Sequence, residues 1–177
     1  EAVAEEFTDR LRRKFETLRM GRAVVDEDMI GPLISASARN DVHELVMDAV
    51  ECGARLIVGG EMQKGPGYFY PPTILADVPQ RARVMREEIF GPVAPIQSFS
   101  DESDVIERAN STDLGLASYV YTRDFERALR IRSELEAGMV GVNAGVISDP
   151  AAPFGGVKQS GLGKEGGAEG IEEYLSS

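Results

Sequence analysis

Between residues 93 and 142 the chain alternates apolar runs of strand length with helical patterns, and this alternation constrains the fold more than any other feature. Residues 93–99, 118–121 and 139–142 are apolar and read as strands. After the first, Ser100 is placed to cap a helix carrying Val105, Ile106 and Ala109, with Asp101 and Glu102 in the first turn, where carboxylates suit the helix dipole. After the second, Thr122 is placed to cap a helix with Phe125, Ala128, Leu129, Arg132 and Leu135 on one face, stopped by Gly138. Strand–helix–strand–helix–strand order implies parallel strands joined by right-handed crossovers. In such sheets, sites lie beyond the carboxyl ends of the strands.

Upstream, residues 2–19 read as an amphipathic helix: Val3, Phe7, Leu11, Phe15 and Leu18 recur at three- and four-residue spacing, a stripe expected to face a core, and Gly21 ends it. Residues 22–38 read as a linker. A second helix is expected over 35–52, with Val42, Leu45, Val46, Ala49 and Val50 on one face and Gly53 following it. Residues 55–58 read as a short strand closed by Gly59-Gly60. Another strand lies within 68–78, expected at a sheet edge because Pro71-Pro72 cannot donate to a ladder. Arg81, Arg83 and Arg86 before Glu87-Glu88 read as a solvated charge run, and residues 171–175 as a last helical turn.

Composition excludes several function classes. A net charge of -11 and a pI near 4.6 argue against nucleic acid and anionic membrane as partners. No apolar run approaches the length of a membrane span, and no signal-like segment opens the chain. The single cysteine precludes an internal disulfide framework and fits a reducing compartment, so a cytoplasmic location is expected. The only histidine, His43, falls among polar neighbours and reads as solvated; neither a His-pair metal site nor a Ser-His-Asp triad can be built on it. Cys52 reads as structural: it sits beside Glu51 at a helix C-terminus, where the dipole opposes a thiolate.

The last strand runs directly into residues 143–167, too rich in Gly and Pro to be a strand or a helix. Gly161-Leu162-Gly163 and Gly166 fit a G-x-G-x-x-G spacing. The stretch nevertheless lacks the long helix and the strand with an acidic end that a dinucleotide fingerprint needs.

The wording of this stretch is specific. Pro153-Phe154-Gly155-Gly156-Val157-Lys158-Gln159-Ser160-Gly161-Leu162-Gly163 resembles the C-terminal signature of the aldehyde dehydrogenase superfamily. Residues 138–143 in front and Gly145-Val146-Ile147-Ser148 between make it most similar to the succinate-semialdehyde branch. Glu87-Glu88-Ile89-Phe90-Gly91-Pro92, Ala109-Asn110-Ser111-Thr112 with Leu114-Gly115-Leu116-Ala117, and Leu135-Glu136-Ala137-Gly138 follow in the family's order, so the resemblance runs from about Phe7 to Leu175.

The resemblance implies an α/β fold: a mostly parallel three-layer sheet with helices on both faces, in a partial aldehyde dehydrogenase catalytic domain. Residues 1–177 would be the C-terminal fragment of that domain, an expectation to which the start at Glu1 without Met adds. It implies oxidation of succinate semialdehyde to succinate with NADP or NAD through a cysteine thioester. The nucleophile, general base, oxyanion asparagine and cofactor-binding domain would lie upstream, so no catalytic residue is expected here and the fragment alone should be inactive.

The family's pattern carries four residues over. Glu88 would accept hydrogen bonds from the hydroxyls of the nicotinamide ribose, and Phe90 would contact the nicotinamide end. Ser148 would help bind the substrate carboxylate, and Phe154 would line the aldehyde tunnel. Asn143, Lys158 and Gly161 would order the loop. No metal is expected, and the parent enzyme would be a homo-oligomer. The alternatives are a non-catalytic binding or assembly module of the same fold, or a dehydrogenase for another aldehyde. Departures from the pattern are Lys164 where arginine is usual, Gly167-Ala168-Glu169 in place of a bulkier stretch, and Asp149-Pro150 after Ser148.

Overall fold

The computed structural model describes residues 2–21 and 29–175, which fall into two units: a first ending at Ser100 and a second beginning at Asp101. The charged residues between 22 and 28 of the expected linker lie outside the described residues.

In the first unit, α1 (Ala4–Phe15) is followed by β1 (Arg19–Met20), β2 (Met29–Ile30), α2 (Ala36–Glu51), β3 (Arg55–Val58), β4 (Thr73–Ala76), a 3-10 turn (Arg83–Met85) and β5 (Val93–Pro95). β1 and β2 pair in parallel. β3, β4 and β5 form a sheet in that order, antiparallel then parallel. The helix α2 forms where its pattern predicts. Ser35 accepts the Ala38 N–H at 3.0 Å as N-cap, and Gly53, in the left-handed region at φ 107°, stops it. Its stripe of Val42, Leu45, Val46 and Ala49 buries against Leu75, Tyr70 and Val84. Each such large aliphatic side chain withdrawn from water stabilises the unit by about 1.5–3 kcal/mol.

Three expectations are corrected here. β4 is the central strand of its sheet, with all four residues buried, rather than an edge. Pro71 and Pro72 precede the strand, so their missing donors fall outside the ladder, which opens with Thr73 N–H donating to Pro92 O at 2.8 Å. The buried Thr73 hydroxyl accepts from Gly60 N–H (2.9 Å) and donates to Pro71 O (2.8 Å), leaving no unpaired polar group. The helix α1 ends at Phe15, well before Gly21, and buries no residue: it lies against β3 and β4, yet Phe7 remains 54% exposed. His43 is half-buried rather than solvated, its Nδ1 3.2 Å from the Tyr70 hydroxyl. The charge run is exposed, as expected, with bonds made at the surface: Arg83 grips Glu87 through two nitrogens, and Arg81 donates to Cys52 O.

In the second unit, α3 (Glu102–Asn110), β6 (Leu114–Gly115), β7 (Ala117–Val120), α4 (Phe125–Glu134), β8 (Met139–Val142), β9 (Val157–Lys158) and a 3-10 turn (Glu169–Tyr174) follow in order. β7 and β8 are parallel, Ala117 opposite Met139 through Val120 opposite Val142, with α4 as their connection, as the later half of the alternating pattern requires; its first strand, expected over 93–99, spans only Val93–Pro95 and pairs with β4. The caps sit one or two residues later than expected: Asp101 accepts from Asp104 N–H and Asp124 from Arg127 N–H. Glu102 ties the two helices, bonded to Arg130 and Arg127, and Arg130 above all holds its carboxyl below the usual range. The glycine-rich stretch is not wholly irregular either, since β9 lies within it and pairs antiparallel with β6.

Candidate functional site

The first unit presents Glu88 and Phe90 on the segment between the 3-10 turn and β5. Adjacent glutamates here have different fates. Glu87 is held by the Arg83 fork at 2.7 and 2.9 Å, which lowers its pKa, while Arg83 N–H donates to Asp48 Oδ2. Glu88 is exposed and has no side-chain partner among the described residues. Two residues on, Phe90 takes a left-handed backbone at φ 44° with its ring 79% exposed. An aromatic in that conformation costs free energy with no packing return, the kind of local strain that clusters at ligand contacts. Gly91 follows because a Cβ there would lie 2.7 Å from a Val42 methyl. A carboxylate with free lone pairs can accept two hydroxyl donors, and a bare aromatic face can stack a flat ring.

The second unit presents the glycine-rich stretch. Its start is fixed by Asn143, whose carboxamide accepts from Thr122 N–H and donates to Thr122 O, both at 2.9 Å. Its return is fixed by backbone contact, because Gly138 approaches Gly155 so closely that a Cβ would sit 2.0 Å from Gly155 O. Phe154 bridges Glu165 through paired backbone bonds of 2.6 and 2.7 Å, and its side chain is half-buried. With Leu116, Gly155, Leu162 and Tyr174 it lines a cavity of about 410 Å³. Ser148 is exposed, has no side-chain partner among the described residues and lies outside that cavity wall. A second cavity opens past the carboxyl ends of β7 and β8, lined by Tyr121, Thr122, Arg123 and Asn143.

Residues that sequence reasoning did not single out also shape this unit. The Asn110 side chain donates to Glu134 O at 2.8 Å and accepts from Glu136 N–H at 2.9 Å, closing the end of α4. Asn110 entered the sequence reading only as part of the family wording Ala109-Asn110-Ser111-Thr112, with no role, because its partners lie more than twenty residues away. Among the described residues no group of His, Cys, Asp and Glu could hold a metal ion, and no helix is long and apolar enough to cross a membrane.

This arrangement is that of a partial aldehyde dehydrogenase domain of mixed α/β content. Residues 1–177 match the aldehyde dehydrogenase family along their whole length, and the chain belongs to that family. It is 54% identical over 177 residues to a succinate-semialdehyde dehydrogenase of Paenarthrobacter nicotinovorans, which accounts for 100% of this chain and 39% of that protein. It is 47% identical over 175 residues to a glutarate-semialdehyde dehydrogenase of Pseudomonas aeruginosa, with 99% and 36% covered. Among solved structures it is similar to an NADP-dependent enzyme of E. coli, with a TM-score of 0.96 and 47% identity over 99% of this chain and 37% of that one. The chain thus spans between 36% and 39% of the length of these proteins.

Proposed function

We propose that this chain is the C-terminal part of the catalytic domain of an NAD(P)-dependent aldehyde dehydrogenase that oxidises succinate semialdehyde to succinate. The observation that carries the reading is the identity of 54% over all 177 residues to a succinate-semialdehyde dehydrogenase. On this reading the thiol nucleophile, the general base and the cofactor-binding domain belong to sequence upstream of this chain. Cys52, at the C-terminal end of α2 with its carbonyl bonded by Arg81, is a structural cysteine.

Within the chain, Glu88 accepts the ribose hydroxyls of the cofactor and Phe90 covers its nicotinamide end. The cofactor, when bound, supplies the hydride acceptor. Phe154 walls the aldehyde tunnel, excluding water and fixing the orientation of the substrate. Ser148, with its hydroxyl free, donates to the carboxylate at the far end of the substrate. The similarity to an NADP-dependent enzyme supports NADP as the cofactor, with NAD as the alternative. The parent works as a cytoplasmic homo-oligomer, a reading supported by apolar side chains left in water, among them Leu162, Tyr174 and Leu175.

The glutarate-semialdehyde relative favours a second reading, a substrate one methylene longer. Both aldehydes carry a terminal carboxylate, so the class of substrate is the same. The test is the rate of reduced-cofactor formation by the full-length protein with succinate semialdehyde, glutarate semialdehyde and propanal. Preference for succinate semialdehyde is expected, and equal rates with propanal would overturn the reading. Cys52→Ser should leave turnover intact; its loss would make Cys52 the nucleophile.

A further inference from the structure

We infer that Lys158 is a positioning residue for the wall of the Phe154 cavity, acting through a charged knot that joins two other segments, the α3–β6 connection and the end of α4, to the glycine-rich stretch. The inference rests on the aldehyde dehydrogenase reading above and adds a residue that sets how tightly the aldehyde is held.

The Lys158 ammonium donates to Asn110 O at 2.8 Å and Thr112 O at 3.0 Å, and pairs with Glu136 Oε2 at 2.5 Å. An ammonium has three donors and no acceptor, so all three are used. One of these acceptors closes α3, the second precedes β6, and the third follows α4. Lys158 itself is in β9, four residues after Phe154, opposite Leu114. Its φ of 56° is a left-handed conformation that a lysine rarely adopts and that persists only where surrounding contacts hold it. Nearby bonds repeat the same junction: Gln159 N–H donates to Asp113 O at 2.8 Å, and Gly115 N–H donates to Ser160 Oγ at 2.9 Å. Residues 157–160, which link Phe154 to the Ser160–Gly163 part of the cavity wall, are therefore tied to the segment before Leu116 by a junction with the ammonium at its centre, while Phe154 is held in addition by Glu165.

The knot depends on charge and on convergence. Methionine at 158 keeps the length and loses all three bonds. Arginine keeps the charge, but its planar fork cannot meet three oxygens converging on one atom. Freed of the knot, Lys158 relaxes from its left-handed backbone and Phe154 shifts with it. Misplacement of a positioning group weakens productive binding of the substrate that it touches.

The experiment uses the full-length enzyme with the variants Lys158→Met, Lys158→Arg and Glu136→Gln. Lys158→Met is expected to raise the aldehyde KM roughly tenfold while the KM for the cofactor, whose contacts are assigned to Glu88 and Phe90, stays within about twofold. Lys158→Arg should recover part of the loss, and Glu136→Gln, which spares the two carbonyl bonds, should raise the aldehyde KM roughly threefold. A general loss of folded enzyme would lower Vmax and leave both KM values alone, so an unchanged aldehyde KM in folded Lys158→Met overturns the inference. Should Lys158→Met not fold, the exposed Glu136→Gln change decides by the same criterion. Should the wild type oxidise no aldehyde, the functional reading falls by itself. Amide hydrogen exchange over residues 153–164 then decides the knot: faster exchange in the variants supports it, and unchanged exchange overturns it.

Discussion

Asn143 and Thr122 hold each other through two reciprocal hydrogen bonds of 2.9 Å, side-chain amide against backbone, across 21 residues of sequence. The pair locks the end of β8 to the segment leaving β7 and fixes the direction in which the glycine-rich stretch departs. It also compensates the left-handed backbone of Asn143, at φ 52°. Asn143→Ala removes both bonds and places an alanine at a positive φ, and a loss of about 1–3 kcal/mol is expected. Chemical denaturation of wild type and variant measures it; a difference near zero would show that the pair holds nothing.

Gly138→Ala tests a contact made by backbone alone. The new methyl would lie 2.0 Å from Gly155 O and 2.8 Å from Gly156 Cα, and neither is a side chain that can swing aside. Overpacking of this kind costs about 1–3 kcal/mol or forces the segments apart. The expected result is a lower melting temperature together with a higher aldehyde KM, since Gly155 lines the cavity beside Phe154.

The paired glutamates separate the cofactor role proposed for Glu88 from a surface role. Glu88→Gln should raise the cofactor KM roughly tenfold, because a carboxamide oxygen offers one acceptor where the carboxylate offers two. Glu87→Gln only loosens an exposed bond to Arg83 and should leave the cofactor KM unchanged. Steady-state titration of the cofactor checks both; equal effects from the two changes would remove Glu88 from the site.

Tyr70 predicts an alkaline limit. Its side chain is 1% exposed, and burial pushes the phenol from 10.0 up to about 12. Between those values the unfolded chain gives up the proton while the folded chain keeps it, so the unfolded state binds fewer protons and stability falls as pH rises. The contribution is complete below pH 10 and declines by about 2–3 kcal/mol on passing to 12. Denaturation curves across that range should show a smaller decline in Tyr70→Phe than in wild type.

Much of the fold was legible because it is written in local periodicity. The α2 stripe and the β7–α4–β8 unit lie within one or two residues of their expected bounds, since spacing and caps are properties of consecutive residues. Relations between distant residues were not legible. The sequence shows that α1 has an apolar stripe but not what meets it. It shows two prolines before β4 but not that the ladder begins just after them. His43 reads as polar on its helix, and only the fold brings Tyr70, 27 residues on, against its ring. The candidate site was read through wording rather than physics: Glu88, Phe90, Ser148 and Phe154 were singled out through resemblance. The structure adds that Glu88 is free while Glu87 is bound, that Phe90 is strained and bare, and that Phe154 faces a cavity.

The close approach of Gly138 to Gly155 has a consequence for how such an enzyme could be retuned. Together with the Asn143–Thr122 pair it welds both ends of residues 144–152, the segment that holds Ser148. The joints use backbone atoms and one asparagine, and none of the side chains of residues 144–152 takes part in them. That segment is a cassette with fixed ends. On the proposed reading, in which Ser148 meets the substrate, this is the segment to exchange when a longer or differently charged aldehyde is wanted, and the strands and the Phe154 wall are expected to keep their places.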